Sequence, residues 1–383
     1  MVVNFSEDQL KKSGVDDDSD EKEKKSIIDK INGFLLKLSK VPLKERLFFV
    51  RHLGIMLKSG ISLSTALKTL AEQTENKYFK KVLSDVGVSV EKGSTFADSL
   101  KIYQKVFGAM FISMVEAGEL SGKLEDVLQE LYIQMKKENA LISKVKGAMT
   151  YPAVIIIAMI GIGTFMIVVI IPRVTSTFVE MQVELPLPTK ILIGISNAVI
   201  HNGLISIVSL IAFFILIFQI LKTTKGKFIF QSILLKMPIF GPIIKKINIA
   251  RFARNISSLL KTDIMIIKTF TITANVISNL HYKNAILDMA SKIKKGGKLN
   301  EVIRNYPKLF NPVVTQMVAI GEDTGELDNI LAELAEFYEE EVDQIMENLP
   351  SIIEPVLILL LGVGVGGVAI AIIMPMYSLT SAI

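Results

Sequence analysis

The sequence predicts an all-α membrane protein with two duplicated cytoplasmic helical bundles and three transmembrane helices. Three observations support this prediction. Half of the 383 residues are hydrophobic and the mean hydropathy is +0.46, which exceeds that of an ordinary soluble chain. Three long stretches carry no charged side chain. Finally, the same residues recur at a fixed distance along the chain, which indicates an internal duplication.

The three uncharged stretches are long enough to cross a lipid bilayer. Residues 147–172, 191–221 and 355–383 contain no Lys, Arg, Asp or Glu. A hydrocarbon core of about 30 Å requires about 20 apolar residues in a helix, and a buried helix of a soluble protein is the weaker explanation at these lengths. The predicted transmembrane helices are 147–172, 203–221 and 354–378.

Basic residues near the ends of these stretches predict the orientation, because positively charged flanks stay in the cytoplasm. They precede the first span and follow the second, whereas the connector at 173–202 carries only Arg173 and Lys190. We therefore expect a multi-pass membrane protein with a cytoplasmic N-terminus. The connector at 173–202 and the tail at 379–383 are expected outside the cytoplasm.

A short acidic phrase reveals the duplication. GELSGKLEDVL begins at Gly118 and GEDTGELDNIL at Gly321, an offset of 321 − 118 = 203 residues. The same offset pairs further residues without a gap, which predicts helical bundles at 41–146 and 222–353, each followed by one span. The second span at 203–221 has no counterpart and returns the chain to the cytoplasm. Paired residues include Phe49 with Phe252, Arg51 with Arg254, Phe107 with Phe310, Pro152 with Pro355 and Pro172 with Pro375.

Hydrophobic spacing predicts that both soluble copies are helical. Apolar residues recur three and four positions apart, which places them on one face of a helix. Proline is rare in both copies and the alternation typical of strands is absent. The spacing is clearest at Leu124, Val127, Leu128, Leu131 and Met135, and again at Leu327, Ile330, Leu331 and Leu334.

The repeated phrase predicts a helix–turn–helix corner in each copy. We expect a helix that ends at Ala117, with Gly118 in the left-handed region. Ser121 is then a candidate cap, and Gly122 allows a tight entry into the next helix. In the second copy the corner glycines are Gly321 and Gly325.

A second interpretation gives the corners a role in binding. Glu119 and Lys123, with Glu322 and Glu326 in the second copy, are candidate contacts for a partner protein. The acidic side chains are alternatively candidates for a cation contact. Sequence alone does not separate these interpretations from a structural corner.

Two prolines mark the entrances to the duplicated spans. Pro152 and Pro355 lie near the start of the first and third spans. A proline inside a helix removes a hydrogen bond and favours a kink. Pro152 is therefore a hypothetical point at which movement of the first bundle becomes tilt of its span.

The N-terminal 40 residues form a separate region. Residues 1–25 are highly charged and are predicted to be disordered. Apolar residues at helical spacing follow and indicate an amphipathic helix. That helix either docks on the bilayer or a partner or covers the first bundle, and both interpretations stay open. Its apolar residues are Ile27, Ile28, Ile31, Phe34, Leu35 and Leu38.

Searches for enzyme signatures give no candidate site. The chain has no phosphate-binding G-x-x-x-x-G-K-[ST] motif, no cysteine and only three scattered histidines, so no cofactor or metal is predicted. The acidic run Glu339–Glu341 reads as a solvated helix face. Lys245, Lys246, Arg251 and Arg254 are expected near the anionic membrane surface, so direct nucleic-acid binding is not predicted.

These motifs resemble a known family, the inner-membrane platform proteins of type II secretion systems and type IV pili, which contain the type II secretion system F domain. The resemblance extends from about Leu43 to Leu379. Asp263 and Glu354 depart from the pattern of the first copy, which has Gly60 and Tyr151 there. The motifs are FVRHLGIMLKSGISLSTALKTLAEQTEN, MVEAGELSGKLEDVL, MTYPAV, VIIPRVTSTFVEMQVELPLPT, KMPIFGPIIKKINIARFARNISSLL, MVAIGEDTGELDNIL and IEPVLILLLG.

The resemblance implies a non-enzymatic scaffold in the bacterial inner membrane, beneath a pilus or pseudopilus. Its implied partners are a cytoplasmic assembly ATPase, pilin or pseudopilin subunits, other inner-membrane assembly proteins, further copies of itself and the lipid bilayer. A transporter or channel subunit is the alternative, because such proteins also contain duplicated spans. The stretches 147–172, 191–221 and 355–383 contain no Asp, Glu, Lys or Arg, which argues against transport.

Overall fold

A computed structural model of the chain describes residues 41–180 and 186–380. Within these residues every regular element is helical, and the predicted all-α fold is confirmed. The expected features of residues 1–40 lie outside the described residues, as do 181–185 of the connector and 381–383 of the tail. The helices group into two compact units, which we describe separately.

Unit 1 is the first helical bundle, together with the short segment Thr262–Ile264. Three of its helices begin after a polar cap, at Ser62, Asn76 and Thr95, whose side chain replaces a missing backbone partner. Asn76, for example, accepts a hydrogen bond from the Phe79 N–H at 2.9 Å. The helices are α1 (Leu43–Lys58), α2 (Leu63–Gln73), α3 (Lys77–Glu91), α4 (Phe96–Lys101), α5 (Gln104–Phe107), α6 (Ala109–Ser121) and the part of α7 (Leu124–Phe165) up to Lys136.

Three aromatic side chains lie at the centre of unit 1. The rings of Phe49 and Phe79 meet edge to face at 5.7 Å, and Phe107 lies 6.0 Å from Phe49 and 6.1 Å from Phe79. All three are buried. Each buried aromatic side chain stabilises the fold by about 2–3 kcal/mol, so this cluster holds α1, α3 and the short α5 together.

Unit 2 contains the second bundle and the described apolar helices. The second part of α7 leads through a π-helical turn at Met166–Ile170 into α8. The remaining helices are α8 (Ile171–Glu180), α9 (Leu187–His201), α10 (Gly203–Lys222), α11 (Thr224–Lys236), α12 (Phe240–Leu260), α13 (Ile266–Val276), α14 (Leu280–Lys294), α15 (Leu299–Ile303), α16 (Pro312–Thr324) and α17 (Leu327–Thr380).

The core of the second bundle repeats the aromatic cluster. Phe252 and Phe310 lie 5.0 Å apart, and Tyr282 meets Phe310 edge to face at 5.4 Å. Tyr282 takes the position of Phe79 in the first copy (79 + 203 = 282). Its buried hydroxyl donates a hydrogen bond to the Leu309 carbonyl oxygen at 2.7 Å, which satisfies the added polar group.

Three described helical segments are long and apolar enough to cross a membrane, as the sequence predicts. They are Leu124–Ser176, Gly203–Lys222 and Leu327–Met374. A fourth candidate exists only if α11 and α12, which meet at 110°, count as one broken span.

The two duplicated spans continue helices that begin in the soluble bundles. α7 passes through Pro152, and α17 through Pro355, without interruption of the helix. The departure from α-helical geometry falls instead at the π-helical turn Met166–Ile170. Most of the predicted connector at 173–202 is also helical, since it contains the end of α8 and all of α9.

Candidate functional site

The corner between α6 and α7 corrects one prediction. α6 ends at Ser121 rather than Ala117, and Gly122 rather than Gly118 adopts the left-handed conformation, at φ 70°. Ser121 does not cap α7, because its hydroxyl donates to the Ala117 carbonyl oxygen at 2.8 Å. A single turn of helix separates the two glycines, so the sequence pattern does not reveal which of them ends the helix.

Gly118 lies inside α6, where it allows close packing against α7. A Cβ atom at this position would lie 2.8 Å from Val127 Cγ2, so only glycine lets α6 approach α7 this closely. The second copy has the same arrangement. Gly325 is left-handed at φ 76°, and a Cβ on Gly321 would lie 3.0 Å from Leu327 Cα.

The corner glutamates cap a neighbouring helix. The Glu119 carboxylate accepts hydrogen bonds from the N–H groups of Phe96, at 2.7 Å, and Ala97, at 3.0 Å, at the start of α4. Glu322 accepts equivalent bonds from Leu299, at 2.7 Å, and Asn300, at 2.9 Å, at the start of α15. A carboxylate that accepts backbone N–H bonds at a helix start is a strong stabilising contact.

The other two predicted contact residues face solvent. Lys123 and Glu326 are exposed. The Lys123 ammonium lies 3.5 Å from a carboxylate oxygen of Asp263, itself exposed, within unit 1. Among the described residues, no group of three His, Asp or Glu side chains is arranged to hold a metal ion. The predicted role of Glu119, Lys123, Glu322 and Glu326 in partner contact therefore stays a prediction.

A second candidate site lies where the second bundle passes into the apolar helices. Here the second part of α7 packs beside α12 and α17, and we call this packed region the helix junction. Its apolar centre lies between bundle and span, so it joins both duplicated spans to α12. The buried residues are Leu141, Ile243, Val342, Met346 and Leu349.

Ion pairs border one side of the helix junction. Arg254 makes a two-pronged contact with Glu339 at 2.8 and 2.9 Å, and their side chains are only 12% and 14% exposed. Lys137 lies 3.3 Å from Glu339 and donates a hydrogen bond to Glu336 at 3.2 Å. This bond lowers the pKa of the Glu336 carboxyl group, because it favours the ionised form.

Further pairs correct one sequence interpretation. Arg251 binds Glu138 at 2.7 Å, and Lys246 lies 3.0 Å from Glu341. Glu339 and Glu341 are therefore paired rather than simply solvated. Lys246, Arg251 and Arg254 also pair with protein carboxylates, and their expected position near the membrane surface stays a prediction. The missed signal is charge complementarity between distant helices, which a linear pattern does not display.

The connector helix α9 contacts both duplicated spans. It packs against α17, α8 and the π-helical turn. The Ser196 hydroxyl donates to the Ile167 carbonyl oxygen at 2.6 Å, and the Thr189 hydroxyl donates to that of Ala371 at 2.6 Å. Ser196 and Thr189 are both buried and lie seven residues apart, on one face of the helix.

The duplicated prolines explain why these carbonyl groups need a donor. In the π-helical turn, the Ile171 N–H bonds the Met166 carbonyl oxygen five residues back, so residue 172 would bond Ile167. In an α-helix, residue 375 would likewise bond Ala371. Both residue 172 and residue 375 are proline and have no N–H. The two hydroxyls of α9 supply the missing hydrogen bonds, which membrane segments need because lipid offers none.

The fold and these sites define a class: an all-helical membrane protein in which one bundle-plus-span unit occurs twice. Two matches to the family described as type II secretion system (T2SS), protein F, cover residues 49–172 and 252–375, and their starts differ by 252 − 49 = 203 residues. The chain therefore belongs to this family.

Curated relatives cover most of the chain. It is 34% identical to the type IV pilus assembly protein PilC of Thermus thermophilus over 88% of this chain and 83% of the relative. The protein of the same name from Myxococcus xanthus is 34% identical over 89% and 81%. The type II secretion system protein F of Vibrio cholerae is 30% identical over 86% and 81%. The family is not known as an enzyme family.

Proposed function

We propose that this chain is the inner-membrane platform protein of a type IV pilus or type II secretion machine, a scaffold without catalytic activity. In this role it couples a cytoplasmic assembly ATPase to extraction of pilin or pseudopilin subunits and to filament assembly. Its family membership and the names of its relatives, which refer to pilus assembly and secretion, support the proposal.

We also propose that both bundles and the N-terminus are cytoplasmic and that α9 lies on the opposite side. Lysines before the first span and after the second support this topology. Because both bundles then face the same compartment, one ATPase can contact both. Other inner-membrane assembly proteins and further copies of the chain are also proposed partners.

The observation that carries the proposal is the continuity of α17. Its 54 residues run from Leu327 in the second bundle to Thr380, a length of about 80 Å at 1.5 Å per residue. In the helix junction, α7 and α12 pack against α17 in the part of α17 that precedes its apolar span. A displacement of the second bundle is therefore transmitted to both duplicated spans.

The helix corners are the proposed contact surface for the ATPase. Lys123 and Glu326 are exposed. Leu120, which adjoins Lys123 at its corner, is 85% exposed. Protein interfaces combine an apolar core with a polar rim, and Leu120 beside Lys123 offers both kinds of side chain. In this proposal Glu119 and Glu322 support the corners through the hydrogen bonds that cap α4 and α15.

Site-specific crosslinking tests the topology and the partner together. A photoreactive amino acid replaces Lys123 or Glu326, and a matched variant carries it at the exposed Lys190 of α9. We expect capture of the assembly ATPase from Lys123 and Glu326 and none from Lys190. Capture of the ATPase from Lys190 contradicts the topology, and capture only of extracytoplasmic proteins from Lys123 contradicts both proposals.

A charge exchange tests transmission through the helix junction. Arg251→Glu or Glu138→Arg places like charges in contact and should abolish filament assembly while the protein stays in the membrane. The double variant restores an ion pair and should restore assembly. Normal assembly in both single variants would show that the helix junction does not transmit force. Substrate flux in liposomes, without an effect on filaments, would favour a transporter.

A further inference from the structure

A lysine-rich helix follows the second span after a fixed corner. α10 ends at Lys222 and α11 begins at Thr224. The Thr223 hydroxyl caps α11 by accepting a hydrogen bond from the Gly226 N–H at 3.1 Å. A Cβ atom on Gly226 would overlap the carbonyl oxygen of Ile220, so the corner requires glycine. α11 therefore starts directly after the end of the second candidate span.

One face of α11 is attached to the second bundle. The Gln231 side chain accepts a hydrogen bond from the Leu280 N–H at 2.8 Å, and Ser232 is hydrogen-bonded to the His281 ring at 2.8 Å. The Phe228 ring stacks on His281 with centroids 4.0 Å apart. These contacts fix the rotation of the helix about its axis.

The opposite face of α11 is apolar and exposed. Ile229 and Ile233 are 60% and 56% exposed, and Phe230 and Met237 beside them are also exposed. Ile229, Ile233 and Met237 are four residues apart and form a single stripe. A soluble helix turns its polar face outward. Here the fixed rotation instead presents the hydrophobic stripe to the surroundings.

Lysines flank this stripe. Lys225, Lys227 and Lys236 belong to α11. The ammonium group of Lys222, just before the corner, lies over the Phe218 ring, 4.7 Å from its centroid. An apolar stripe with basic flanks is the composition of helices that lie in a membrane interface. Each lysine near an anionic membrane surface adds to the attraction.

We propose that α11 lies in the plane of the membrane, with Ile229, Phe230, Ile233 and Met237 in the acyl-chain boundary and its lysines among anionic headgroups. The helix then holds the second bundle at a fixed height and rotation against the bilayer. The inference depends on α10 crossing the membrane and not on the platform role. Its failure is therefore distinct from failure of the proposed function.

Fluorescence quenching on the full chain tests the proposal. The chain has no cysteine, so a single cysteine can carry a fluorescent label at Ile233 or, as a matched control, at the exposed Val88 of α3 in unit 1. The labelled protein is placed in nanodiscs of phosphatidylglycerol and phosphatidylcholine. Nitroxide on the acyl chains and iodide in the buffer serve as the two quenchers.

We expect the label at Ile233 to be quenched by the lipid nitroxide and shielded from iodide, and the label at Val88 to show the reverse. Equal iodide quenching at both positions would overturn the proposal. Efficient crosslinking between two copies through residue 233 would overturn it too, because a second copy would then cover the stripe.

A triple variant tests the charged part of the interaction. Lys225→Gln, Lys227→Gln and Lys236→Gln remove the flanking charges without changing the stripe. In the unsubstituted chain, lipid quenching at Ile233 should be several-fold stronger with anionic lipid than in phosphatidylcholine alone, and the variant should lose this preference. Equal quenching in both lipids before substitution would overturn the role of the headgroups.

Discussion

The two copies of the repeated unit agree inside and differ on one outer face. Both use a glutamate to cap a short helix and a left-handed glycine to end a longer one. Both also join a tyrosine to an aspartate, at 2.6 Å for Tyr103 and Asp85 and at 2.5 Å for Tyr306 and Asp288. The shared contacts all lie within a single bundle.

The difference lies at a pair of equivalent arginines. Arg254 binds Glu339 in a nearly buried ion pair, whereas Arg51 lies over the Tyr132 ring at 5.6 Å. Lys136 occupies the position of Glu339 in the first copy (136 + 203 = 339). Only the second copy therefore has the carboxylate that holds α12 to α17 in the helix junction. This specialises the second copy for attachment to the membrane helices.

Removing the capping glutamates should give the largest effect. In the first copy Thr95 also caps α4, through its hydrogen bond from the Asp98 N–H, but no side chain caps α15 at the equivalent Lys298. Glu322→Ala should therefore cost about 2–4 kcal/mol and Glu119→Ala about 1–2 kcal/mol.

Hydrogen exchange of the α4 and α15 amides in the full chain measures this difference. Glu322→Gln and Glu119→Gln are the matched controls, because each keeps one side-chain acceptor and should lose less protection than the alanine variant. A larger loss of protection in α4 than in α15 would contradict the proposed asymmetry.

The contrast between predicted and unpredicted features has a physical cause. The duplication, the helical class and the spans follow from the spacing of residues and from their hydropathy, which can be read along the sequence. The caps made by Glu119 and Glu322 join residues 22 and 23 positions apart, so no local pattern contains them. Nor does a linear pattern reveal that hydroxyl groups of α9 donate to the Ile167 and Ala371 carbonyl oxygens. A signal did exist, since both copies place a glutamate after the first corner glycine.

The arginine pair should give the next largest effect. Arg254→Ala removes two charge-assisted hydrogen bonds from a nearly buried carboxylate, and we expect a loss of about 2 kcal/mol. Arg51→Ala removes an exposed contact with a ring and should cost less than about 1 kcal/mol. Arg254→Lys keeps the positive charge but not the two-pronged hydrogen bonding, so its loss of stability should fall between those of the two alanine variants. Urea-induced unfolding of the full chain in micelles compares the three. Equal losses for Arg254→Ala and Arg51→Ala would remove the distinction drawn here.

A rescue experiment tests the hydrogen bonds from α9 to the Ile167 and Ala371 carbonyl oxygens. Thr189→Val and Ser196→Ala each remove one hydroxyl donor and should destabilise unit 2 by about 1 kcal/mol. Pro375→Ala restores an N–H that can reach the Ala371 carbonyl oxygen and should rescue Thr189→Val. Pro172→Ala should rescue Ser196→Ala in the same way.

The crossed combinations are the controls for this rescue. Thr189→Val with Pro172→Ala, and Ser196→Ala with Pro375→Ala, leave the orphaned carbonyl group unsatisfied and should not recover. Thermal unfolding in nanodiscs measures all of these variants. Recovery in the crossed pairs would mean that proline removal stabilises the spans generally and that the two hydroxyls have no specific role.

The smallest expected effect is a pH dependence shared by both copies. Burial, followed by the hydrogen bond to Asp288, raises the pKa of Tyr306 to about 12, from an ordinary value of about 10. The same two causes raise the pKa of Tyr103. A folded-state pKa above the unfolded value means that the stabilising contribution is complete below about pH 10 and is lost as the pH rises through about 12. Tyr306→Phe and Tyr103→Phe should each flatten the alkaline fall in stability, measured by urea unfolding between neutral and alkaline pH. Both bundles share this tyrosine–aspartate contact, so both variants should flatten the profile. A flattened profile in only one variant would mean that the two tyrosines lie in different environments and that the two copies do not agree at this contact.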